Sequence, residues 1–338
     1  PVFFDVGFII LVPIVYALSR DTKRSLLYYA IPLLAGLAVT HSFIPPTPGP
    51  VAVADIIDAQ LGWVILLGFI MGLPTAIIAG PVFGKYISKK IYLEPPFGLD
   101  ETKQEFNPKN YPSFRSIVII ISIPLILILL NTFTTVAVAN KLISQSIWTE
   151  IVEFIGHPFS ALIIATLTAT YFLCLKRGVD KQKVLDLSTK ALGPAGIIIL
   201  ITGAGGVLKQ VLIDSGIGQM MAESMVYSPL PPIMLAWMIS AAVRVTQGSA
   251  TVAMITAASL IAPIITEFDL SDPQRALVVL SIASGATLLS HVNDSGFWLV
   301  GKYLGMNEKQ TLQSWTVMET IIAFCGLSFT LLASLFFK

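Results

Sequence analysis

HSFIPPTPGP at residues 41–50 and SHVNDSG at residues 290–296 are two polar, helix-breaking stretches, and each interrupts a long apolar run. The first contains four prolines, which cannot continue a helix and lack an N–H donor. Irregular backbone at membrane depth is found only where protein or a water-filled cavity satisfies its peptide groups. A matched pair of such breaks is the pattern that best indicates the substrate site of a transporter built from inverted repeats.

The composition is that of a membrane protein. Hydrophobic residues make up 55% of the 338 residues, charged residues make up 12%, and the mean hydropathy is +0.80. Soluble proteins average about 45–50% apolar and about 25% charged residues, so an ordinary soluble domain is excluded. The net charge of +1 excludes a nucleic-acid binder. Cys174 and Cys325 both lie in apolar segments, where cysteine is a packing residue, so we expect them to form neither a disulfide nor a metal pair. We expect no metal site and no cofactor.

Apolar segments of about 20 residues, the length that crosses a bilayer, recur along the whole chain. They are 2–18, 26–59, 61–83, 116–139, 157–175, 193–213, 230–267, 274–301 and 315–337. Besides the two breaks quoted above, the segment 230–267 is interrupted by Thr-Gln-Gly-Ser at residues 246–249. We therefore predict an all-α polytopic membrane protein with broken transmembrane helices. The chain begins at Pro1 within an apolar pattern, and we interpret it as lacking N-terminal spans.

Lys and Arg are concentrated in a few connections, which sets the predicted orientation. Four connections hold 16 of the 21 cationic residues. They are 19–25, 84–115, 176–192 and 302–312. Cytoplasmic connections carry such an excess, so we place these four inside and the cation-poor stretches 140–156 and 214–229 outside. This orientation is consistent along the chain only if 230–267 is a re-entrant hairpin that enters and leaves from the outer side.

The two ends of the chain repeat one order of elements: an apolar arm, a broken span and an uninterrupted span. In the first half these are 2–18, 26–59 and 61–83, and in the second half they are 250–267, 274–301 and 315–337. The two sets have opposite predicted orientations, which indicates inverted repeats. We predict a first repeat at 1–83, a cytoplasmic linker at 84–115 and a second repeat at 116–338. Asp5 then corresponds in position to the tip of the re-entrant hairpin.

Ionisable side chains inside a membrane are costly and mark functional sites. Arg244 lies one turn before the hairpin tip and could pair with a substrate carboxylate, or instead reach the surface or cap a carbonyl. His41 and His291 can carry protons near neutral pH, or can simply form hydrogen bonds at the breaks. Among the candidates for proton coupling we favour Asp294, followed by His41 and Asp5.

The proline-rich break and the hairpin tip also predict the substrate site, because each exposes the N-terminus of a following half-helix, which is a ready anion site. We expect such half-helices after the prolines, at 51–59, and after the hairpin tip. The alternatives are an ordinary outer loop at the prolines and a small-residue packing seam at the tip. The predicted substrate-binding residues are Pro46, Thr47, Gly49, Arg244, Gln247, Gly248, Ser249, Thr251, His291, Asn293 and Ser295.

Four motifs resemble the gluconate permease family. They are HSFIPPTPGPVA at 41–52, GLPTAIIAGP at 72–81, QGSATVA at 247–253 and SHVNDSGFW at 290–298. The resemblance covers essentially the whole chain. It implies a transporter of the bacterial cytoplasmic membrane that imports gluconate and related sugar acids with protons, as a homodimer in contact with lipid. Thr47 departs from the pattern, since many members have a second histidine there.

Together these observations predict proton-coupled symport of gluconate or a near relative. The alternatives are idonate, fructuronate or D-serine as substrate, coupling to sodium, and a cation/proton exchanger without an organic substrate. An intramembrane enzyme is a further alternative, but the chain contains neither His-Glu-x-x-His nor Gly-x-Ser-x-Gly.

Overall fold

The computed structural model describes residues 4–95, 112–139, 141–190 and 230–337, together with isolated positions between 192 and 215. No described residue lies in a β-strand, which confirms the all-α prediction. In the N-terminal half the helices are α1 (Phe4–Thr22), α2 (Leu27–Phe43), α3 (Pro48–Ile57), α4 (Leu61–Ile77), α5 (Phe83–Lys90), α6 (Phe114–Ala139), α7 (Ile147–Gly156) and α8 (Pro158–Ala169). In the C-terminal half, residues 181–190 are helical. The helices that follow are α9 (Pro232–Gln247), α10 (Ala250–Ile265), α11 (Asp272–Gly285), α12 (Ser295–Leu304), α13 (Glu308–Thr311) and α14 (Val317–Ser334).

Five helices among the described residues are long and apolar enough to cross a membrane. They are Leu27–Ile57, Leu61–Lys90, Arg115–Thr135, Phe159–Arg177 and Glu308–Ser334. The first of them combines α2 and α3 across the proline-rich break. These spans confirm a polytopic membrane protein. Of the predicted span 193–213, only isolated positions are among the described residues.

The first break lies where the prolines place it. Helix α2 ends at Phe43 and α3 begins at Pro48, so residues 44–47 separate the two helices. Thr47 has an extended backbone as the N-cap of α3, and its hydroxyl donates to the carbonyl of Ile44 at 2.8 Å. Proline is accepted at the first position of a helix, because the N–H there has no intrahelical partner. The same residue type therefore ends one helix and starts the next.

The second break begins earlier than the sequence predicts. Helix α11 already ends at Gly285, so the interruption covers residues 286–294 rather than starting at Ser290. Ser284 and Thr287 donate to backbone carbonyls three residues before them, at 2.9 and 2.8 Å. Hydroxyl side chains that bond locally in this way compete with the helical ladder. The 14-residue α11 and the 10-residue α12 are the two halves of this broken span.

Helices α9 and α10 form a hairpin whose tip consists of Gly248 and Ser249. Gly248 adopts a left-handed conformation with φ of 80°, which ends α9, and the Ser249 hydroxyl accepts from the amide of Val252 to start α10. Each arm has 16 residues. That length corresponds to about 24 Å of helix, which is shorter than a hydrocarbon core of about 30 Å. The short arms support the re-entrant hairpin, which stays a prediction.

The third element of the first half is longer than predicted. The helix that begins at Leu61 does not end at residue 83 but continues through a wider turn at Ile78–Val82 and through α5 to Lys90. Gly80 and Gly84 allow this continuation to pack closely on Pro32 of α2. The connection predicted to start at residue 84 therefore starts after Lys90.

Most of the core is one cluster formed by α1–α5 with α9–α12 and α14. Fully buried side chains such as Phe8, Phe43, Met254 and Phe297 join these elements. Helices α6 and α8 pack against α4 in a second, smaller buried cluster, which includes Ile128. Their remaining surface exposes long apolar side chains, which suit hydrocarbon rather than water. The core therefore unites the two predicted repeats around both breaks.

Hydrogen bonds join the connections that the lysine pattern assigns to one side of the membrane. The Ser25 hydroxyl donates to the carbonyl of Ile91 at 3.0 Å, which ties the connection after α1 to the one after α5. At the opposite ends of the helices, Gln60 donates to the carboxylate of Asp272 at 2.6 Å. These contacts agree with the predicted topology. The inverted relation of the repeats and the division at 83 and 115 stay predictions.

Candidate functional site

A polar cavity of about 210 Å³ lies where the hairpin tip, the second break and the starts of α1 and α14 meet the end of α2. Seven of the residues predicted for binding or coupling line it. They are Asp5, His41, Arg244, Ser249, Thr251, Asp294 and Ser295. The fold thus brings together side chains from both halves of the chain, as the paired breaks predict.

Arg244 and Asp294 form an ion pair that joins the hairpin to the second break. Arg244 stands in the last turn of α9 and is 3% exposed. One terminal nitrogen donates to the Asp294 carboxylate at 2.5 Å, and the other donates to the carbonyl of Gly248 at the tip. Of the alternatives open from the sequence, capping of a carbonyl is therefore observed, and the guanidinium also remains on the cavity wall.

Both carboxylate oxygens of Asp294 accept hydrogen bonds. Oδ2 accepts from Arg244 and from the Ser290 hydroxyl, each at 2.5 Å, and Oδ1 accepts from the amide of Gly296 at 2.9 Å. Asp294 is thereby the N-cap of α12. The indole of Trp315 donates to the Ser290 hydroxyl at 2.6 Å and extends the network to the helix that leads into α14. Asp294 is thus the centre of a buried network rather than an isolated acid.

Gly248 allows the hairpin tip to lie directly against the second break. A Cβ at this position would overlap the backbone of Asn293, and the left-handed conformation disfavours any side chain there. Asn293 in turn donates from its side chain to the carbonyl of Val245 at 2.9 Å. Neither Gly248 nor Asn293 lines the cavity among the described residues. Their observed contacts join the two segments that carry Arg244 and Asp294.

The N-terminus of α3 is not at the cavity, although the prolines suggest an anion site there. Pro48 and Pro50 have no N–H to offer, and Gly49 packs against the side chain of Met254 in α10. Pro46 and Thr47 also lie away from the wall. Of the half-helices that follow the breaks and the hairpin tip, α10 and α12 have starts that reach the cavity, so we place the candidate anion site in the second half of the chain.

The two histidines differ in position. His41, in the last turn of α2, lines the cavity, whereas His291 does not. The Nδ1 atom of His291 is buried and has no hydrogen-bond partner among the described residues. Gln247 also lies outside the wall. The structure therefore brings His41, but not His291, to the wall of the cavity.

Glu319 is a cavity residue that the sequence reasoning missed. It lies in the first turn of α14, is 4% exposed, and faces the same space as Asp5 and Asp294. Its charge interacts with those of Arg244 and Asp294. A signal for it existed, because an acidic residue inside the apolar segment 315–337 meets the same criterion as the other intramembrane ionisable groups.

A larger cavity of about 880 Å³ lies between α3, α4, α6 and α8. Its wall is mainly apolar and includes Asp55 and Asp58 but no Lys or Arg from the described residues. None of the predicted binding residues lines it. A site with acidic groups and no described cation is poorly suited to an organic anion, so we take the smaller polar cavity as the candidate site.

Comparison with known proteins identifies the family. The model of the GntP family permeases matches residues 1–336. The chain is 42% identical to a gluconate permease of Pseudomonas aeruginosa, covering 99% of this chain and 73% of that protein. It is 41% identical to a low-affinity gluconate transporter of Escherichia coli, covering 96% of this chain and 72% of that protein. It is 38% identical to the Gnt-II system L-idonate transporter of Escherichia coli, with the same coverage.

These relatives are permeases and transporters, so the protein is a transporter and not an enzyme. The match over nearly the whole chain agrees with the resemblance found in the four sequence motifs. The chain therefore belongs to the GntP permease family and is a multi-pass transporter of the bacterial inner membrane.

Proposed function

We propose that the protein imports gluconate or a closely related sugar acid together with protons. The observation that carries this proposal is the polar cavity between the hairpin tip and the second break, with Arg244 and two helix N-termini on its wall. Gluconate is named for several relatives at about 40% identity, which supports the same substrate class here.

The chemistry of the wall suits a small hydroxylated carboxylate. The starts of α10 and α12 and the guanidinium of Arg244 attract a carboxylate. The hydroxyls of Ser249, Thr251 and Ser295 can exchange hydrogen bonds with those of a sugar acid. The volume of about 210 Å³ is below the range of about 300–1,000 Å³ typical of drug-sized ligands, as expected for a smaller substrate.

Coupling to a cation follows from energetics. Moving one charge across the membrane potential costs about 2.3 kcal/mol per 100 mV, so a monoanion enters an inside-negative cell only with compensation. The cavity carries the carboxyl groups of Asp5, Asp294 and Glu319 but only one guanidinium among the described residues. An anionic substrate adds to this negative charge, and a bound proton offsets it. We propose the proton as the coupling ion, with no cofactor.

The test uses the full-length transporter purified into sealed vesicles. Labelled gluconate should enter the vesicles by counterflow. When the outside is more acidic than the inside, gluconate should accumulate in the vesicles above its external concentration. If uptake depends on a sodium gradient and not on pH, the coupling ion is sodium rather than the proton. A pH change in the vesicles without any organic acid would indicate a cation/proton exchanger and contradict the proposal.

L-Idonate is the second candidate substrate, because one relative is an L-idonate transporter. Competition of labelled gluconate with unlabelled idonate, fructuronate and D-serine ranks these acids on one site. We expect idonate to compete more strongly than fructuronate or D-serine. Strong competition by D-serine alone would assign the cavity to a different carboxylate.

A homodimer embedded in lipid is part of this proposal. The apolar side chains exposed on α6 and α8 provide surface for lipid or for a second copy. Mass determination of the protein in lipid nanodiscs should give two copies per particle. A monomer that transports at the full rate would show that transport does not require a dimer.

A further inference from the structure

We infer that Glu319 is the residue that binds the coupling proton. This inference rests on the proposed proton-coupled function and assigns its ion to one side chain. Glu319 lies in the first turn of α14, one helical turn after Trp315, and both residues line the cavity. Its carboxyl group is therefore at the substrate site but comes from a helix that contributes no residue to either break.

The carboxyl group of Glu319 is buried but uncommitted. The residue is 4% exposed, and its backbone carbonyl accepts from the hydroxyl of Thr287. None of the hydrogen bonds or ion pairs found among the described residues involves its carboxylate. A buried carboxylate without such partners is costly, so the group is suited to taking up a proton.

The other carboxyl groups of the cavity are placed differently. Both oxygens of Asp294 already accept hydrogen bonds, and a proton there would have to displace Arg244, Ser290 or the Gly296 amide. Asp5 is exposed in the described structure. Glu319 is thus the cavity carboxyl that is both buried and free of hydrogen bonds among the described residues.

The groups around Glu319 explain how a proton and a substrate can bind together. Arg244 on α9 attracts its negative charge, Asp294 at the second break repels it, and Asp5 on α1 and His41 on α2 share the cavity. A substrate carboxylate near Arg244 competes for the only guanidinium among the described residues of the wall. Protonation of Glu319 removes one negative charge at the moment when the substrate adds one. Release of the substrate inside reverses both steps.

The test compares Glu319→Gln with the parent protein in sealed vesicles. The amide keeps the shape of the side chain but cannot exchange a proton. We expect counterflow of labelled gluconate to remain, and accumulation driven by a pH gradient to disappear. The apparent gluconate affinity, which should vary with pH in the parent, should become independent of pH in the variant.

Two further variants serve as controls. Glu319→Asp keeps a carboxyl group at the site and should restore accumulation at least in part, which a purely structural role would not predict. Glu308→Gln removes an exposed carboxylate from the start of the same helical run and should behave like the parent. If Glu319→Gln still accumulates gluconate in a pH gradient, Glu319 is not the proton site although proton coupling stands. If the parent itself shows no such accumulation, the proposed function fails.

A labelling experiment on the parent protein covers the case in which Glu319→Gln does not fold. Dicyclohexylcarbodiimide reacts with protonated carboxyl groups in apolar surroundings and leaves an N-acylurea that mass spectrometry can locate. We expect modification at Glu319 that increases as the pH is lowered. Modification of Asp5 or Asp294 with Glu319 unmodified would overturn the inference.

Discussion

At the scale of single residues, the pairing of Arg244 with Asp294 decides what each can do. The sequence favours Asp294 as the proton carrier, and a carrier replaced by Asn should lose uphill accumulation while keeping exchange. Because Asp294 pairs with Arg244 in the observed network, we expect it to neutralise and position Arg244 rather than to carry the proton. Breaking a buried pair on one side costs about 3–5 kcal/mol, because the partner is left as an uncompensated charge.

The first prediction is therefore a double-mutant cycle. Asp294→Asn and Arg244→Gln should each lower the unfolding temperature of the purified transporter, and the combined variant should lose less stability than the two losses added. Thermal unfolding in detergent measures all three. Additive losses would show that the two side chains do not depend on each other. A stable Asp294→Asn variant that exchanges substrate but no longer accumulates it would identify Asp294 as the site of the coupling proton.

The second prediction separates Thr251 from Asn293, which the sequence places together in direct contact with the substrate. Thr251 lines the cavity, whereas Asn293 is exposed and bonded to the carbonyl of Val245. Thr251→Val should weaken gluconate binding roughly 5- to 150-fold, because an unpaired buried polar group costs about 1–3 kcal/mol. Asn293→Ala should have a smaller effect. Binding measured by isothermal titration decides, and the reverse order would place the substrate beyond the cavity wall.

At the scale of elements, the hairpin tip depends on a close approach that only glycine permits. Gly248 and Gly178 are both left-handed, with φ of 80° and 75°. A Cβ at Gly248 would meet the backbone of Asn293, whereas a Cβ at Gly178 would meet nothing within 4 Å. A side chain at either position would therefore cost free energy because of the left-handed backbone. Only at Gly248 would it also collide with another segment.

The third prediction uses this matched pair. Gly178→Ala should cost about 1–2 kcal/mol of stability from the left-handed backbone alone and leave transport intact. Gly248→Ala should lower stability further and reduce uptake, because it pushes the hairpin tip away from the second break. Uptake in vesicles and thermal unfolding are measured side by side. Equal effects of the two substitutions would mean that the tip and the break need not touch.

The breaks themselves show which element boundaries follow from local sequence. Four prolines at residues 45–50 leave no alternative to an interruption, so the end of α2 could be predicted closely. Helix α3 is expected at 51–59 but begins at Pro48, because proline is accepted in the first turn of a helix. The end of α11 could not be predicted, because no proline or long polar run marks Gly285. There the helix ends where serine and threonine hydroxyls take over backbone carbonyls, and this competition depends on the packing around them.

At the scale of the whole molecule, the lysine pattern predicts which ends of the helices face the cytoplasm. The fourth prediction tests it with single cysteines in a background lacking Cys174 and Cys325. A cysteine at Lys181 should react with an impermeant thiol reagent only from inside, and one at Ser144 only from outside. Both positions are exposed. Lys103, expected inside, and Glu223, expected outside, belong to the same test but lie outside the described residues.

Labelling is compared in right-side-out and inside-out membrane vesicles. Labelling of Lys181 from the outer side would overturn the predicted orientation and with it the inverted repeats. The hydrogen bonds between the connections after α1 and α5 would still hold, since they depend only on which helix ends lie together.

The membrane class, most of the spans, both breaks and the family could be predicted from the sequence alone. These properties rest on the length and hydrophobicity of continuous segments, on helix breakers and on motifs, all of which are local along the chain. The sequence also identified seven of the cavity residues, since ionisable and hydroxyl groups at membrane depth are rare enough to be conspicuous.

Which of these residues contact each other depends on how the helices pack in three dimensions. Arg244 and Asp294 are 50 residues apart in sequence, and their pairing depends on how the hairpin tip seats against the second break. Glu319 reaches the cavity because of the rotation of α14 about its axis, which packing against α11 and its other neighbours sets. Helix packing likewise explains why Gly49 and Asn293 do not line the cavity. A helix break fixes where backbone groups become free, but the direction in which each side chain points is settled only when the helices pack.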